Sequence, residues 1–234
     1  MRENEFLDFA IEQKIEKAYG EGRVYIVDER AFQFVYKPEV AYWIGFIMAD
    51  GSIGENDKGE SYCLSICLSE KDINHLQKFR IFLHSNIPIH KHKDKKTGKS
   101  NCRINVNSKK LTKDLEQYGI IPRKRGKEQI KNIPSEYIRD FILGYFDGDG
   151  CICKNKNSRM FTIASSSLNI IKKIHEILIF QCGLNKTKIQ KRLDGVNILA
   201  FGGNQQAKRI YEFLYERGGG SIDYLERKKD KFLD

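Results

Sequence analysis

The apolar and polar residues of this chain alternate with two different periods. In residues 101–107, Cys102, Ile104 and Val106 alternate with polar side chains, which predicts a strand with one buried and one exposed face. Elsewhere the apolar residues recur every three or four positions, as in helices that pack on one side. The two patterns predict strands near 24–27, 62–68, 88–93, 101–107, 159–165, 186–192 and 196–202, and helices near 6–19, after Ser69, at 108–119, at 167–181 and after 203.

One stretch of the chain occurs twice in similar form. Residues 42–53 recur as residues 141–152, displaced by 99 positions, and similar elements follow each copy. The order of elements is αββαββα after both starts, which is the signature of an internal repeat. The sequence therefore predicts an α+β fold of two pseudo-symmetric repeats. We expect an N-terminal extension at 1–37 and repeats at 38–135 and 136–234.

Small residues stand four apart in each copy. Gly45 and Ala49 in the first, and Gly144 and Gly148 in the second, fall about one helical turn apart and share a face. A helix with such a face can approach a partner backbone to backbone. We therefore expect the two repeated helices to pack against each other at the centre of the molecule.

An aspartate closes each repeated helix. Asp50 and Asp149 should be the last helical residues, with Gly51 and Gly150 expected to end the helices in a left-handed turn. Carboxylates at helix C-termini lie at the unfavourable end of the dipole, and paired helices would also bring the two like charges together. A divalent cation with oxygen ligands would compensate this charge.

Two other interpretations of the Asp-Gly pairs are simpler. A single pair is most often an ordinary turn, but two copies, each closing a helix with small residues on one face, argue against it. A calcium loop starting at Asp147 would need glycine at its sixth position and glutamate at its twelfth, where Ile152 and Ser158 stand. This second interpretation fails.

The net charge of +10 is concentrated in the two repeats. Residues 1–37 carry a net charge of −2, residues 38–135 one of +7 and residues 136–234 one of +5. Such an excess favours a nucleic-acid partner, although a lysine-rich solvated surface would look the same. The residues expected to contact DNA are Arg103, Asn105, Asn107, Lys154, Lys156, Arg159, Lys188, Gln190 and Arg192. An ordinary solvated sheet face is the alternative for each of them.

Cysteine use and hydropathy favour an intracellular, soluble protein without a membrane partner. The six cysteines form no CxxC pair, which favours reduced thiols over zinc ligands or disulfides. Cys151 and Cys153 should share one face of a strand. The longest apolar stretch, at 40–49, is too short to cross a bilayer, and the N-terminus lacks the basic start of a signal peptide.

With these residues in view, the chain resembles the LAGLIDADG homing endonucleases in their two-motif, single-chain form. Residues 43–51 and 142–150 match the nine-residue motif, and the resemblance extends over about residues 32–234. It implies that antiparallel sheets form a saddle over DNA, with the motif helices at the interface. It also implies a monomeric, site-specific endonuclease that cuts a long asymmetric DNA site and leaves short 3′ overhangs.

The resemblance also implies roles for individual residues. Asp50 and Asp149 would bind Mg²⁺ or Mn²⁺, with the carbonyls of Ala49 and Gly148 in the metal shell; Ca²⁺ would bind without supporting cleavage. Lys124 and Lys228 would be the basic residues near the scissile phosphates, although the glycine run at 218–220 departs from the family pattern. The sixth motif position is Asp147 in the second copy and Met48 in the first.

Two alternatives keep this fold but change the activity. One is an RNA maturase that binds intron RNA, and the other is a DNA-binding regulator without catalysis. Intact acids in both motifs favour the nuclease. A regulator of this kind usually carries a further helix-turn-helix domain, which we do not find after residue 217.

Overall fold

The computed structural model describes residues 25–233, apart from residues 96, 124, 156, 217, 219 and 222. The helix expected near 6–19, Lys124 and Lys156 lie outside the described residues. Each half contains a four-stranded antiparallel sheet, and the strand orders are β1-β2-β4-β3 and β5-β6-β8-β7. The expected α+β fold of two similar halves is thereby confirmed.

The first half begins with the helix of the first motif. Its helices are α1 (Pro38–Asp50), α2 (Ile73–Phe82) and α3 (Lys109–Glu116), and its strands are β1 (Gly51–Glu55), β2 (Ser61–Ser69), β3 (His90–Lys93) and β4 (Ser100–Asn107). Pro38 suits the first position of α1, where no helical N–H bond is lost. Ser108 caps α3 by accepting a hydrogen bond from the N–H of Leu111, as the sequence predicts.

The second half repeats this order. Its helices are α4 (Ile138–Asp149), α5 (Leu168–Cys182), α6 (Asn204–Tyr211) and α7 (Glu226–Leu233), and its strands are β5 (Gly150–Asn155), β6 (Ser158–Ser165), β7 (Gln190–Lys191) and β8 (Asn197–Gly202). Ser167 caps α5, and Gly183 ends it with a φ of 60° in the left-handed region. A π-helical stretch, Glu212–Glu216, continues α6.

The two motif helices, α1 and α4, pack against each other along the glycine faces, as the sequence predicts. A β-carbon on Gly45 would overlap the carbonyl oxygen of Phe141, and one on Gly144 would overlap the carbonyl oxygen of Tyr42. The two glycines thus make matching contacts across a pseudo-twofold axis. Because side chains are absent there, the backbones meet directly and the other helix residues fill the core, in which Tyr42 to Phe46 and Phe141 to Phe146 are buried.

The role expected for Gly51 and Gly150 was wrong. Neither residue makes a left-handed turn; their φ angles are −80° and −94°, and both helices continue directly into extended strands. The glycines are needed for space, because a β-carbon on Gly51 would meet Ile47 and one on Gly150 would meet Phe146. Each aspartate therefore lies at a tight junction between a helix and a strand.

Two expected strands also differ from the structure. The strand expected at 186–192 is reduced to Gln190–Lys191, because a tight turn closed by Arg192 and Val196 follows it and it pairs with β8 alone. Residues 25–27 of the strand expected near 24–27 form no ladder. This segment is held instead by single bonds, including one from the Ile26 N–H to the Asn86 side chain.

The C-terminal segment joins the two halves. The side chain of Trp43 in α1 donates to Asp223, and Arg227 in α7 makes a bidentate pair with Asp72 of the first half at 2.6 and 2.7 Å. The N–H of Ser221 donates to buried Asp140 of α4. These contacts hold the C-terminal segment against both motif helices.

Candidate active site at the paired helix ends

Asp50 and Asp149 are the last residues of α1 and α4, as the sequence predicts, and both are exposed. The helices meet at this end. The carboxyl carbon of Asp50 lies 3.5 Å from the position that a β-carbon on Gly148 would occupy, and Ala49 lies closer still. The first aspartate therefore stands beside the residue that precedes the second one.

The negative charges of Asp50 and Asp149 both affect the neighbouring Tyr145. Burial raises the pKa of Tyr145, and the negative charges of Asp149 and Asp50 raise it further. The Tyr145 hydroxyl donates a 2.9 Å hydrogen bond to Ser165 Oγ, which lines the cavity beside Asp149. Two acids from different repeats thus contribute negative potential to one location.

The donor set at the helix ends fits a hard divalent cation. Carboxylate and carbonyl oxygens are the ligands that Mg²⁺, Mn²⁺ and Ca²⁺ prefer, and both acids are open to solvent. Among the described residues, no group of three or more His, Cys, Asp or Glu side chains is arranged to hold a metal. A cation here would therefore rely on two acids, backbone carbonyls, water and substrate oxygens.

A cavity of about 400 Å³ opens beside Asp149. It is lined by Ala49 of the first motif, by Arg125 and Glu128 from the connection between the repeats, and by Ser165. Glu128 is buried, and its Oε2 has no hydrogen-bond partner within the described part of the chain. Sequence reasoning missed Glu128, because its position in a basic connecting segment gave no pattern.

Lys228 occupies a different place from the one expected of a residue that faces the scissile phosphate. Its side chain is 7% exposed, and its ammonium donates to the carbonyl oxygens of Phe146, Asp147, Gly148 and Gly150 at 2.6 to 3.2 Å. The ammonium thereby supplies the positive charge that a helix C-terminus favours. Lys228 is thus a positioning residue for the backbone around Asp149.

Asp147 is a buried acid that links the two repeats. The hydroxyl of Tyr42, from α1, donates to its Oδ2 at 2.7 Å, and the N–H of Leu225 donates to the same oxygen at 2.8 Å. Its Oδ1 has no partner among the described residues. Burial raises the pKa of Asp147 to about 7, although these hydrogen bonds and the charges of Lys228 and Arg227 oppose the shift.

This raised pKa predicts a pH-dependent stability. The folded protein favours protonated Asp147, so its contribution is fully present below about pH 4 and is lost as the pH rises through about 7. Asp147→Asn cannot ionise and removes the effect. We expect the free energy of unfolding of the wild type to fall relative to that of the variant between about pH 5 and pH 8. Denaturant titrations at both pH values measure this difference, and a constant difference would contradict the assignment.

The first sheet presents its expected DNA-contact residues outward. Arg103, Asn105 and Asn107 are exposed on β4, whereas Cys102, Ile104 and Val106 between them are buried. The predicted alternation is confirmed. His90 pairs with Arg103 across the ladder and lies on the same outer face.

In the second sheet, two of the expected DNA-contact residues lie on the core side of the sheet rather than on its outer face. Lys154 pairs with Arg159 in the ladder, and both have the parity of Ile152 and Phe161, which face the core. The guanidinium of Arg159 turns toward α6 and α7, where it bonds Asn204 and the carbonyl of Leu233. The sequence pattern indicated that Lys154 and Arg159 lie near the turn between β5 and β6. It did not indicate which face of the sheet they occupy, and the expectation was wrong on this point.

The remaining basic candidates of the second half lie near its edge strand. Lys188 and Arg192 are exposed outside the short strand β7, and Gln190 lies within it. Arg192 pairs with Asp194 in the turn at 3.2 Å. These side chains therefore lie at the edge of the outer face rather than across it.

A family model described as a LAGLIDADG-like domain matches the chain twice, over residues 37–131 and 136–214. Among curated proteins, the uncharacterized protein MJ0398 of Methanocaldococcus jannaschii is 29% identical over 119 residues. That match covers 51% of this chain and 41% of the relative, so the chain spans about two fifths of the relative's length.

Two solved structures have the same fold. The homing endonuclease I-WcaI bound to its DNA recognition sequence matches 87% of this chain and 86% of its own, with a TM-score of 0.59 and 15% identity. The I-LtrWI LAGLIDADG homing endonuclease bound to target DNA matches 88% of this chain and 89% of its own, with a TM-score of 0.53 and 12% identity.

None of the helices described between residues 25 and 233 is long and apolar enough to cross a membrane.

Proposed function

This chain belongs to the family of LAGLIDADG-like domains, and from that premise we propose that it is a site-specific endonuclease for double-stranded DNA. The observation that carries the proposal is the packing of the two motif helices, which places Asp50 beside the residue that precedes Asp149. The similar structures of I-WcaI and I-LtrWI, both bound to DNA, support the choice of substrate.

In the proposed reaction, Asp50 and Asp149 would together hold the divalent cations. Bound cations of this kind activate water and stabilise the leaving oxygen of a phosphodiester. Other residues of the site position the two acids. Lys228 fixes the carbonyls around Asp149, and the glycine contacts at Gly45 and Gly144 fix the distance between the helices.

The finer details follow from the doubled architecture. Both motifs stand in one chain, so a monomer can supply both acids, and the repeats at 38–135 and 136–234 would each cover half of the target. Because the halves differ in sequence, the target would be long and asymmetric. We assign Mg²⁺ or Mn²⁺ as the cofactor, with Ca²⁺ binding but not supporting cleavage, and short 3′ overhangs as the product.

The proposal is tested by selecting bound duplexes from a randomised DNA library and incubating the enriched duplexes with Mg²⁺. We expect double-strand cleavage within the selected site, and mapping of the ends gives the overhang. Enriched duplexes that stay intact with Mg²⁺ and with Mn²⁺ would favour the regulator instead. Failure to enrich any duplex, together with tight binding of RNA transcribed from the DNA that flanks the reading frame, would favour the maturase.

A further inference from the structure

The outer faces of the two sheets differ in chemistry. On the first sheet, the register of the paired strands places most of the polar side chains of the sheet on the face that points away from the core. They are Ser52, Ser65, Ser69, His90, His92, Asn101, Arg103, Asn105 and Asn107, and Cys63 and Cys67 share the face with them. Arg and Asn are the side chains that make bidentate hydrogen bonds to guanine and adenine in the major groove.

The outer face of the second sheet carries mainly sulfur and methyl groups. Direct ladder pairs set Cys151 against Thr162 and Cys153 against Met160 on this face, and it continues into β8. Its side chains are Cys151, Cys153, Met160, Thr162, Ala164, Ile198 and Ala200, with Gln190 and Ser158 at the edges. Among the described residues of β5, β6 and β8, no charged side chain shares this face; Arg192, two residues beyond Gln190, continues the same parity at its edge.

Charge in the second half lies beside this surface. Lys186, Lys188 and Arg192 are exposed in the segments next to β7, and Arg159 points to the core side of the sheet. Cations in these positions can contact phosphates, which fix the register of a protein on DNA without reading its sequence. The face between them offers few hydrogen bonds: the hydroxyl of Thr162 already donates to the carbonyl of Cys151.

We propose that the outer face of the second sheet is a binding surface for thymine methyl groups in the major groove, while the first sheet reads purine edges. This inference rests on the proposed function, since it takes the two outer faces as the surfaces that meet DNA. Thymine alone among the four bases presents a methyl group there, and apolar side chains recognise it by contact. Met160, with 43% of its surface exposed, is the largest such contact.

Two base analogues distinguish the faces. Deoxyuridine removes only the thymine methyl group, and 7-deazapurines remove only the N7 acceptor that Arg103 and Asn105 would use. In a selected duplex, we expect deoxyuridine to weaken binding about fourfold for each contacted thymine of the second half-site, from the loss of one buried carbon. In the first half-site, 7-deazapurines should weaken binding by roughly tenfold for each bidentate contact. Each analogue should have little effect in the opposite half.

Variants assign the half-sites. Arg103→Ala should remove the response to 7-deazaguanine in one half-site, and Met160→Ala should reduce the response to deoxyuridine in the other. Phe180→Ala is the matched control, because Phe180 is 84% exposed on α5, on the far side of the second sheet. All variants are compared by Kd on the same duplexes, with thermal unfolding to confirm that they fold.

The two claims fail in different ways. If no duplex is enriched, the proposed function fails. If a duplex is bound but deoxyuridine acts equally in both half-sites, or only in the half that depends on Arg103, the thymine-binding surface is overturned. An unchanged deoxyuridine response in Met160→Ala, with wild-type folding, would overturn it as well.

Discussion

Replacement of either motif aspartate is expected to lower the rate of double-strand cleavage by roughly 10³-fold or more, because several kcal/mol of metal-derived stabilisation is lost. Asp50→Asn and Asp149→Asn keep the size of the side chain and remove its charge. Because Asp50 lies beside the residue that precedes Asp149 and both acids affect Tyr145, each variant should impair the cutting of both strands. The measurement is the single-turnover rate on the selected duplex with Mg²⁺.

Binding of the duplex should remain within a few-fold of the wild type in both variants, since the sheet faces that would contact DNA are unchanged. Asp114→Asn is the matched control, because Asp114 pairs with Lys110 on the surface of α3. Wild-type rates in Asp50→Asn or Asp149→Asn would remove these acids from the reaction. Equal loss of binding and cleavage would instead point to a structural role.

The second large effect is expected at the helix crossing. Gly144→Ala places a methyl group on the carbonyl of Tyr42, and Gly45→Ala does the same at Phe141. Neither obstacle is a flexible side chain, so one helix backbone must move. We expect a loss of more than about 3 kcal/mol in the free energy of unfolding, above the usual range for overpacking.

Gly202→Ala is the matched control for these variants. Gly202 has no positive φ, and apart from its chain neighbours no atom of the described residues lies within 4 Å of the position of an added β-carbon. Its stability should stay within about 1 kcal/mol of the wild type. Denaturant unfolding measures all three variants, and a stable Gly144→Ala protein would show that the helices do not meet at these residues.

The central architecture could be predicted because it is written twice in the sequence. A repeat displaced by 99 residues fixes two equivalent helices, and the spacing of Gly45 and Gly144 fixes the faces that meet. Period-two alternation likewise identified the outer face of β4. These features depend on local periodicity, which a single sequence displays directly.

What the sequence did not reveal depends on the parity of strands and on contacts between distant residues. The face occupied by Arg159 depends on the start of β6, and a shift of one residue exchanges the two faces. Lys228 contacts the end of α4 about 80 residues away, and Asp147 meets Tyr42 across the helix pair. No pattern near either residue indicates such a partner.

The role of Gly51 and Gly150 illustrates the same limit. A glycine after a helix usually indicates a left-handed ending, but these two accommodate the preceding turn of the helix in a junction that continues as a strand. This junction matters for the site, because it holds Asp50 and Asp149 between a buried helix pair and the first strand of each sheet. The burial of Asp147 beneath Asp149 adds a pH-sensitive contact to the same region.

The shared acidic site is tested most directly by locating Mn²⁺ from its anomalous scattering in crystals of the chain bound to a selected duplex. We expect manganese between Asp50 and Asp149, and its loss from that position in crystals of Asp149→Asn. Manganese bound elsewhere, with these two carboxylates contacting no cation in the DNA complex, would contradict a reaction carried out at the paired helix ends.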